Sequence, residues 1–208
     1  QGAVEAASSG VASLVKDQSW CIKALPTPAG YVHVAYVLAF LPGDQAEARF
    51  QGALLGLQRS LEVLEEQGRQ RDWAATWIKL GDAWRASPLG DRGANLDQAI
   101  QAYERALTVY TRDGDPEHWA QTWQRLGQAL REQRSGDRAE NLARSVEAFQ
   151  FALQVQSATG NPIAWELTQG DLFVAQAWQY ALEAERAESG GLEALQAHGE
   201  AALQEALV

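Results

Sequence analysis

Residues 73–98 read WAATWIKLGDAWRASPLGDRGANLDQ, and residues 119–144 read WAQTWQRLGQALREQRSGDRAENLAR. Aligned without gaps, the 46 residues from Trp73 to His118 and the 46 from Trp119 to Ala164 are identical at 19 positions. Self-similarity at a fixed period indicates a repeat architecture. The register continues with weaker matches on both sides. It predicts four units at residues 27–72, 73–118, 119–164 and 165–208.

Each unit is predicted to contain two helices, because apolar residues recur at the spacing of one helical face. In the unit at 73–118 these residues are Trp73, Trp77, Leu80 and Trp84 in the first helix, then Leu96, Ile100, Tyr103 and Leu107 in the second. One such pair cannot bury its apolar stripe alone, so neighbouring pairs are expected to stack. The tryptophans at equivalent positions are therefore expected to pack in the core. The glycines at 81 and 127 are expected to mark close approach between helices.

Helix ends are also visible in the sequence. A Gly-Asp-Arg turn, at 90–92 and 136–138, follows the first helix of both central units and is itself followed by an asparagine. We interpret it as a structural turn in which the aspartate and asparagine oxygens cap the next helix and the arginine pairs locally. The alternative is a repeated ligand site along one edge. At 115–116 and 161–162 a capping residue precedes a proline, which is typical of a helix start.

These residues resemble the tetratricopeptide (TPR) family, whose helix pairs carry Trp, Leu-Gly and an aromatic, then Ala, an aromatic and Ala. The matching positions are Trp77, Leu80-Gly81, Trp84, Ala99, Tyr103 and Ala106, and then Trp123, Leu126-Gly127, Leu130, Ser145, Phe149 and Ala152. The unit is longer than the usual one of about 34 residues. It is similar to the long, tryptophan-rich variety found in large bacterial signalling proteins, sometimes beside caspase-like (CHAT) domains. The resemblance implies an all-α, right-handed solenoid of antiparallel helix pairs over 27–208, after a partly helical N-terminal extension at 1–26.

Charge and hydropathy exclude several classes of partner. The net charge of -10 argues against nucleic-acid binding, which needs a positive surface. The longest apolar run, residues 31–41, is too short to span a membrane. The single cysteine, Cys21, excludes an internal disulfide and fits a reducing, cytoplasmic compartment. The absence of methionine indicates a processed product or part of a longer chain.

Catalysis is not expected. The thiol and imidazole candidates are Cys21, His33, His118 and His198, and no spacing among them suggests a nucleophile with its base. Phosphate-loop, zinc and calcium motifs are also absent from the sequence. We therefore predict a protein that is not an enzyme and that holds neither a cofactor nor a metal.

The best candidate site is the row of first helices, which in TPR proteins lines a concave groove for a partner's peptide or helix. The resemblance places a basic set, an amide pair and an apolar end on this row: Lys79, Arg85, Arg125 and Arg131, then Gln124 and Gln128, then Val174 and Trp178. Such a groove would suit an acidic or carboxylate-bearing partner. The leading hypothesis is a protein–protein interaction scaffold or regulatory module. The alternative is a self-assembling structural element, and an enzyme is the least favoured class.

Overall fold

A computed structural model describes residues 27–29, 32, 46–87, 89–157 and 160–205. These residues form helices without any strand, and neighbouring helices pack in sequence order. The helices are α1 (Ala46–Glu66), α2 (Gln70–Ala86), α3 (Arg92–Leu107), α4 (Pro116–Glu132), α5 (Arg138–Leu153) and α6 (Pro162–Glu205). The all-α prediction is confirmed for this part of the chain. The extension at 1–26 lies outside the described residues, as does most of the first predicted helix of the unit at 27–72.

The 46-residue repeat appears as two helix pairs of the same dimensions. Helices α2 and α4 each span 17 residues, and α3 and α5 each span 16. The glycine before each second helix has a left-handed backbone, with φ of 74° at Gly90 and 72° at Gly136. This conformation favours glycine, which explains why both turns use it. The sequence-based interpretation of the turns is confirmed at these positions.

The other polar residues of the turn bond within it. Asp91 caps α3 by accepting from the Ala94 amide at 2.8 Å, and Asp137 caps α5 in the same way. Each arginine donates back to a carbonyl of the preceding helix, Arg92 to Arg85 and Arg138 to Arg131. The capping role expected of the asparagines is wrong. Their amide groups instead donate to turn carbonyls, those of Leu89 and Ser135, at 2.6 and 3.0 Å from Asn95 and Asn141.

The starts of α4 and α6 differ although both have a capping residue before proline. Asn161 accepts a hydrogen bond from the Ala164 amide at 3.2 Å, as the sequence predicts. Asp115 makes no such bond at the start of α4, and its carboxylate contacts the His118 Nδ1 at 2.8 Å instead. The expected capping bond is therefore wrong for Asp115, whose side chain takes a histidine as partner.

Close packing within each pair depends on one glycine facing one aromatic ring. A Cβ atom added to Gly81 would lie 2.6 Å from the Tyr103 ring, and one added to Gly127 would lie 2.8 Å from the Phe149 ring. Beside the second contact, the buried Ser145 hydroxyl donates to the Gly127 carbonyl at 2.7 Å. The predicted close approach is confirmed in both pairs.

The tryptophans pack against the core as expected. Trp73, Trp77, Trp84, Trp119 and Trp123 are partly buried against a cluster formed by α2, α3 and α4. Edge-to-face pairs repeat along the chain, with ring centroids 5.7 Å apart for Trp73 and Trp77 and 6.1 Å apart for Trp119 and Trp123. Such pairs add stability beyond the burial of apolar area. The core therefore takes up five of the eight tryptophans of the sequence.

The last predicted unit differs from the others. Instead of two helices within 165–208, the chain forms the single helix α6, which spans 44 residues. Its residues 179–189 read QYALEAERAES, so the Gly-Asp-Arg turn has no counterpart where α4 would end. Alanine, leucine, glutamate and arginine all favour helix, and nothing in this stretch stops it. The expected break inside the last unit is therefore wrong.

Candidate functional site

Helices α2, α4 and α6, which we call the A row, are joined by polar contacts at repeated positions. Arg125 of α4 donates to Asp82 of α2 at 3.3 Å. At the equivalent positions one unit later, Gln128 of α4 donates to Asp171 of α6 at 2.8 Å. Donor and acceptor exchange places between the two contacts. Each helix of the A row thus contacts the next through a polar pair at the same repeat positions.

Three of the four predicted basic residues form ion pairs across the A row. Arg85 contacts Glu132 at 3.0 Å, Arg125 contacts Asp82 at 3.3 Å, and Arg131 contacts Asp171 at 2.9 Å. The last pair is the most buried, with each side chain 18% exposed. Lys79 is exposed on α2. The arginines therefore hold neighbouring helices together as well as lining the A row.

The hydroxyl of Tyr103 adds a buried link beneath this surface. It donates at 2.7 Å to the Asp82 carboxylate, the same group that accepts from Arg125. Burial raises the pKa of Tyr103 far above its ordinary value, and the negative charge of Asp82 adds to the effect. The phenol keeps its proton at neutral pH. Its hydrogen bond holds the Asp82 carboxylate in place.

The α6 end of the A row is apolar. Val174 is half-buried, Trp178 is 41% exposed, and the Arg138 guanidinium lies 5.1 Å above the Trp178 ring. One unit earlier, Arg92 pairs with the carboxylate of Glu132. The repeat therefore places the same arginine over a carboxylate on α4 and over an indole on α6. The two residues predicted for the apolar end lie on one helix, next to the polar row of α4.

Helix α6 exposes four other large apolar residues, and of these the sequence-based reasoning places only Leu167 on the groove-facing side. They are Ile163 at 71%, Leu167 at 61%, Phe173 at 72% and Tyr180 at 70%. A signal for them was present in the alignment, because α4 has Glu117 and Gln121 where α6 has Ile163 and Leu167. An exposed repeat position that is polar in α4 and apolar in α6 indicates that the two surfaces make different contacts.

The histidine candidates form no catalytic arrangement in the described part of the chain. The His118 ring stacks on Tyr110, with centroids 4.9 Å apart, and bonds Asp115. This hydrogen bond lowers the pKa of the Asp115 carboxyl below its ordinary value of 3.8. The contact joins the start of α4 to the segment after α3. Cys21 and His33 lie outside the described residues, and His198 lies in α6.

Three further findings concern metal ligands, membrane spanning and similarity to known proteins. Among the described residues, no group of three His, Cys, Asp or Glu side chains is placed to hold a metal ion. Within that same part of the chain, every helix is too short or too polar to cross a membrane. No protein-family model and no curated protein sequence matches the chain.

Proposed function

We propose that this chain is a non-catalytic protein-interaction module of TPR type, in which the helix pairs form a right-handed solenoid. The A row lines its concave groove and receives a peptide or helix of a partner protein. The 46-residue repeat supports this proposal, because it places α2, α4 and α6 at equivalent positions of successive units with polar side chains in contact between neighbours. The resemblance to TPR proteins supplies the bacterial signalling setting, and the single cysteine fits the cytoplasm.

The observation that carries the proposal is the change of chemistry along the A row. On α4 the row presents Gln124 and Gln128 beside Arg125 and Arg131, and on α6 it presents exposed apolar side chains. Contiguous exposed apolar area beside polar groups is a common mark of a protein-binding surface. The residues proposed to contact the partner are Lys79, Arg85, Gln124, Arg125, Gln128, Arg131, Val174 and Trp178.

The acidic character expected of the partner stays a prediction for the part of the A row on α2 and α4, which carries the basic residues. Three ion pairs count against it, because Glu132, Asp82 and Asp171 already neutralise the arginines of the A row. A ligand carboxylate would have to displace one of these internal partners. Amide hydrogen bonds and apolar contacts are left as the simpler means of recognition.

Photo-crosslinking tests the proposal with a partner whose identity is still open. A benzophenone side chain at Gln124 of the A row should capture a discrete polypeptide from a lysate of the source cells. The same probe at Gln101, an exposed residue of α3, is the matched control and should capture none. Equal capture at both positions, or capture at Gln101 alone, would place the binding surface elsewhere.

Self-assembly is the second candidate, and a specific observation favours it. Phe173 and Tyr180 of α6 are each at least 70% exposed, so another copy could cover them. Light scattering across a concentration series should then show a rise in mass, and replacing Phe173 and Tyr180 with glutamine should abolish that rise. A constant monomer mass would exclude this candidate.

A further inference from the structure

Four residues of α6 form what we call the apolar stripe: Ile163, Leu167, Val174 and Trp178. They are four, seven and four residues apart, a spacing that keeps them on one helical face over about 22 Å. The equivalent residues of α4 are Glu117, Gln121, Gln128 and Glu132. All four positions thus change from polar to apolar between two helices of the same repeat.

The middle of the apolar stripe is open. A Cβ atom added to Gly170, between Leu167 and Val174, would meet no atom within 4 Å. The stripe thus has large residues on both sides of a gap, which suits a side chain inserted from another helix. Ile163 and Leu167 are mostly exposed, at 71% and 61%, and Trp178 is 41% exposed, so water contacts a large part of this surface.

The repeat itself indicates what lies on such a face. Asp82 of α2 contacts Arg125 of α4, and the equivalent Gln128 of α4 contacts Asp171 of α6. Val174 occupies the position equivalent to Asp82 and Gln128 in the following repeat. By continuity with these two interfaces, Val174 faces the place where a further A helix would lie. Within the described residues, no helix follows α6 to fill that place.

Area and charge restrict the occupant. The apolar stripe offers four large side chains, whereas each side of a stable interface uses roughly 20–30 residues and about 800 Å². The apolar side chains can therefore form the centre of an interface with a polar rim. From 162 to 187, α6 carries four carboxylates and one arginine, and Arg186 is 3.7 Å from Asp137. Glu166 and Glu185 are exposed close to the ends of the stripe.

Resting on the proposed function, we propose that the apolar stripe binds an amphipathic helix of a partner protein with Lys and Arg beside its own apolar face. This helix docks on α6 as α6 docks on α4. Its basic side chains complement Glu166 and Glu185, while its apolar residues cover Leu167 and Val174. The same acidic rim disfavours a second copy of α6, because two such faces would bring like charges together.

Two synthetic helical peptides test the chemical class of the partner. Both carry one leucine stripe, one has lysine and arginine flanks, the other has glutamate flanks, and binding to the full chain is followed by fluorescence anisotropy. The basic peptide should bind at least tenfold more tightly, and its affinity should fall as salt rises because the charges are screened. Equal affinities, tighter binding of the acidic peptide or no binding would overturn the inference.

Matched variants locate the site. Leu167→Gln together with Val174→Gln gives α6 the glutamines that α4 carries at the equivalent positions. This double variant should weaken binding of the basic peptide at least tenfold. Phe173→Gln together with Tyr180→Gln removes apolar area from the adjoining face, and should change affinity less than twofold. Glu166→Lys together with Glu185→Lys should invert the preference for basic over acidic flanks. The same weakening from both glutamine pairs would mean non-specific adhesion and overturn the inference.

Two further outcomes separate this inference from the proposed function. If the peptides fail to bind while the probe at Gln124 still captures a partner, only the docking of a basic helix on α6 is overturned. If the Gln124 probe also captures nothing, the proposed function fails with it. Concentration-dependent dimers that Leu167→Gln with Val174→Gln abolishes would identify a second copy as the occupant and also overturn the inference.

Discussion

Helices α4 and α6 occupy the same place in successive repeats and have opposite surfaces. Helix α4 lies between α2 and α6 in the A row, ends after 17 residues and pairs with α5. Helix α6 has such an A-row neighbour on one side only among the described residues, and continues for 44 residues. Polar residues of α4 bond its neighbours, while α6 exposes apolar residues at the matching positions. The contrast shows that one repeat register can carry either a helix with polar contacts to both neighbours or a helix with an exposed apolar face.

The largest expected effect tests the packing side of this contrast. Gly127→Leu places a side chain where even a Cβ would lie 2.8 Å from the Phe149 ring. Overpacking of this kind should lower the free energy of unfolding by about 1–3 kcal/mol, measured by urea denaturation. Gly170→Leu on α6 is the control, because its added Cβ meets no atom within 4 Å. Because leucine favours helix more than glycine and meets no atom there, this control should be unchanged or more stable by up to about 1 kcal/mol. Equal losses would show that α4 and α6 do not differ in packing here.

The sequence predicts the repeat well because local rules set it. The backbone is left-handed at Gly90 and Gly136, which favours glycine. At Gly81 and Gly127 an aromatic ring packs so closely that a larger side chain would not fit. These requirements recur with the period and are visible in one alignment. The length of α6 is mispredicted because the period is extended past 178, although residues 179–188, where the turn should fall, contain no turn residue. A stretch without a helix stop signal predicts that the helix continues through it.

The candidate site is less predictable than the fold. Periodicity places Arg85, Arg125 and Arg131 on the A row, but it cannot show that each of them pairs with an acid of a neighbouring helix. Those partners lie 40 residues or more away along the chain, so their identity depends on how consecutive units rotate and approach. Gln133 illustrates the same limit. It is 2% exposed and bonds the Gly93 carbonyl, although its position suggests a surface residue.

Ion pairs across the A row give the next test. Asp171 binds both Arg131 and Gln128 and is 18% exposed, so Asp171→Ala leaves two half-buried donors without their acceptor. We expect a loss of about 1–2 kcal/mol in the free energy of unfolding. Arg125→Ala breaks a more exposed pair and should cost under about 1 kcal/mol. A double-mutant cycle on each pair measures the coupling. A larger coupling for Arg125 and Asp82 would reverse the ranking and mean that α4 is held more firmly by α2 than by α6.

A smaller effect concerns the arginine of the Gly-Asp-Arg turn. Arg92 in one unit pairs with Glu132, and the equivalent Arg138 in the next unit lies over the Trp178 ring. Trp178→Leu keeps an apolar residue on α6 but removes the ring beneath Arg138. Loss of this cation–π contact should lower the free energy of unfolding by about 0.5–1 kcal/mol. In an Arg138→Ala background the same replacement should have almost no further effect. An undiminished loss in that background would assign the role of Trp178 to packing alone.

The smallest effect uses pH to distinguish the starts of the two helices. Asp115 begins α4 with a titratable carboxylate bonded to His118, whereas Asn161 begins α6 with an amide that does not titrate. The pKa of Asp115 is lowered in the folded chain, chiefly by its hydrogen bond with His118. The ionised group therefore stabilises the fold above its ordinary pKa of 3.8, and this contribution is lost as pH falls through the lower folded value. Asp115→Asn, which copies the α6 sequence, should lower the melting temperature slightly at about pH 7, and this effect should shrink as pH falls below the ordinary pKa of 3.8. Asn161→Asp is the reciprocal variant. It introduces a carboxylate near the N-terminus of α6, where the helix dipole favours negative charge, so its melting temperature should rise relative to wild type as pH increases. A wild-type minus Asp115→Asn difference that is constant over this range would show that the carboxylate of Asp115 acts through its shape and not through its charge.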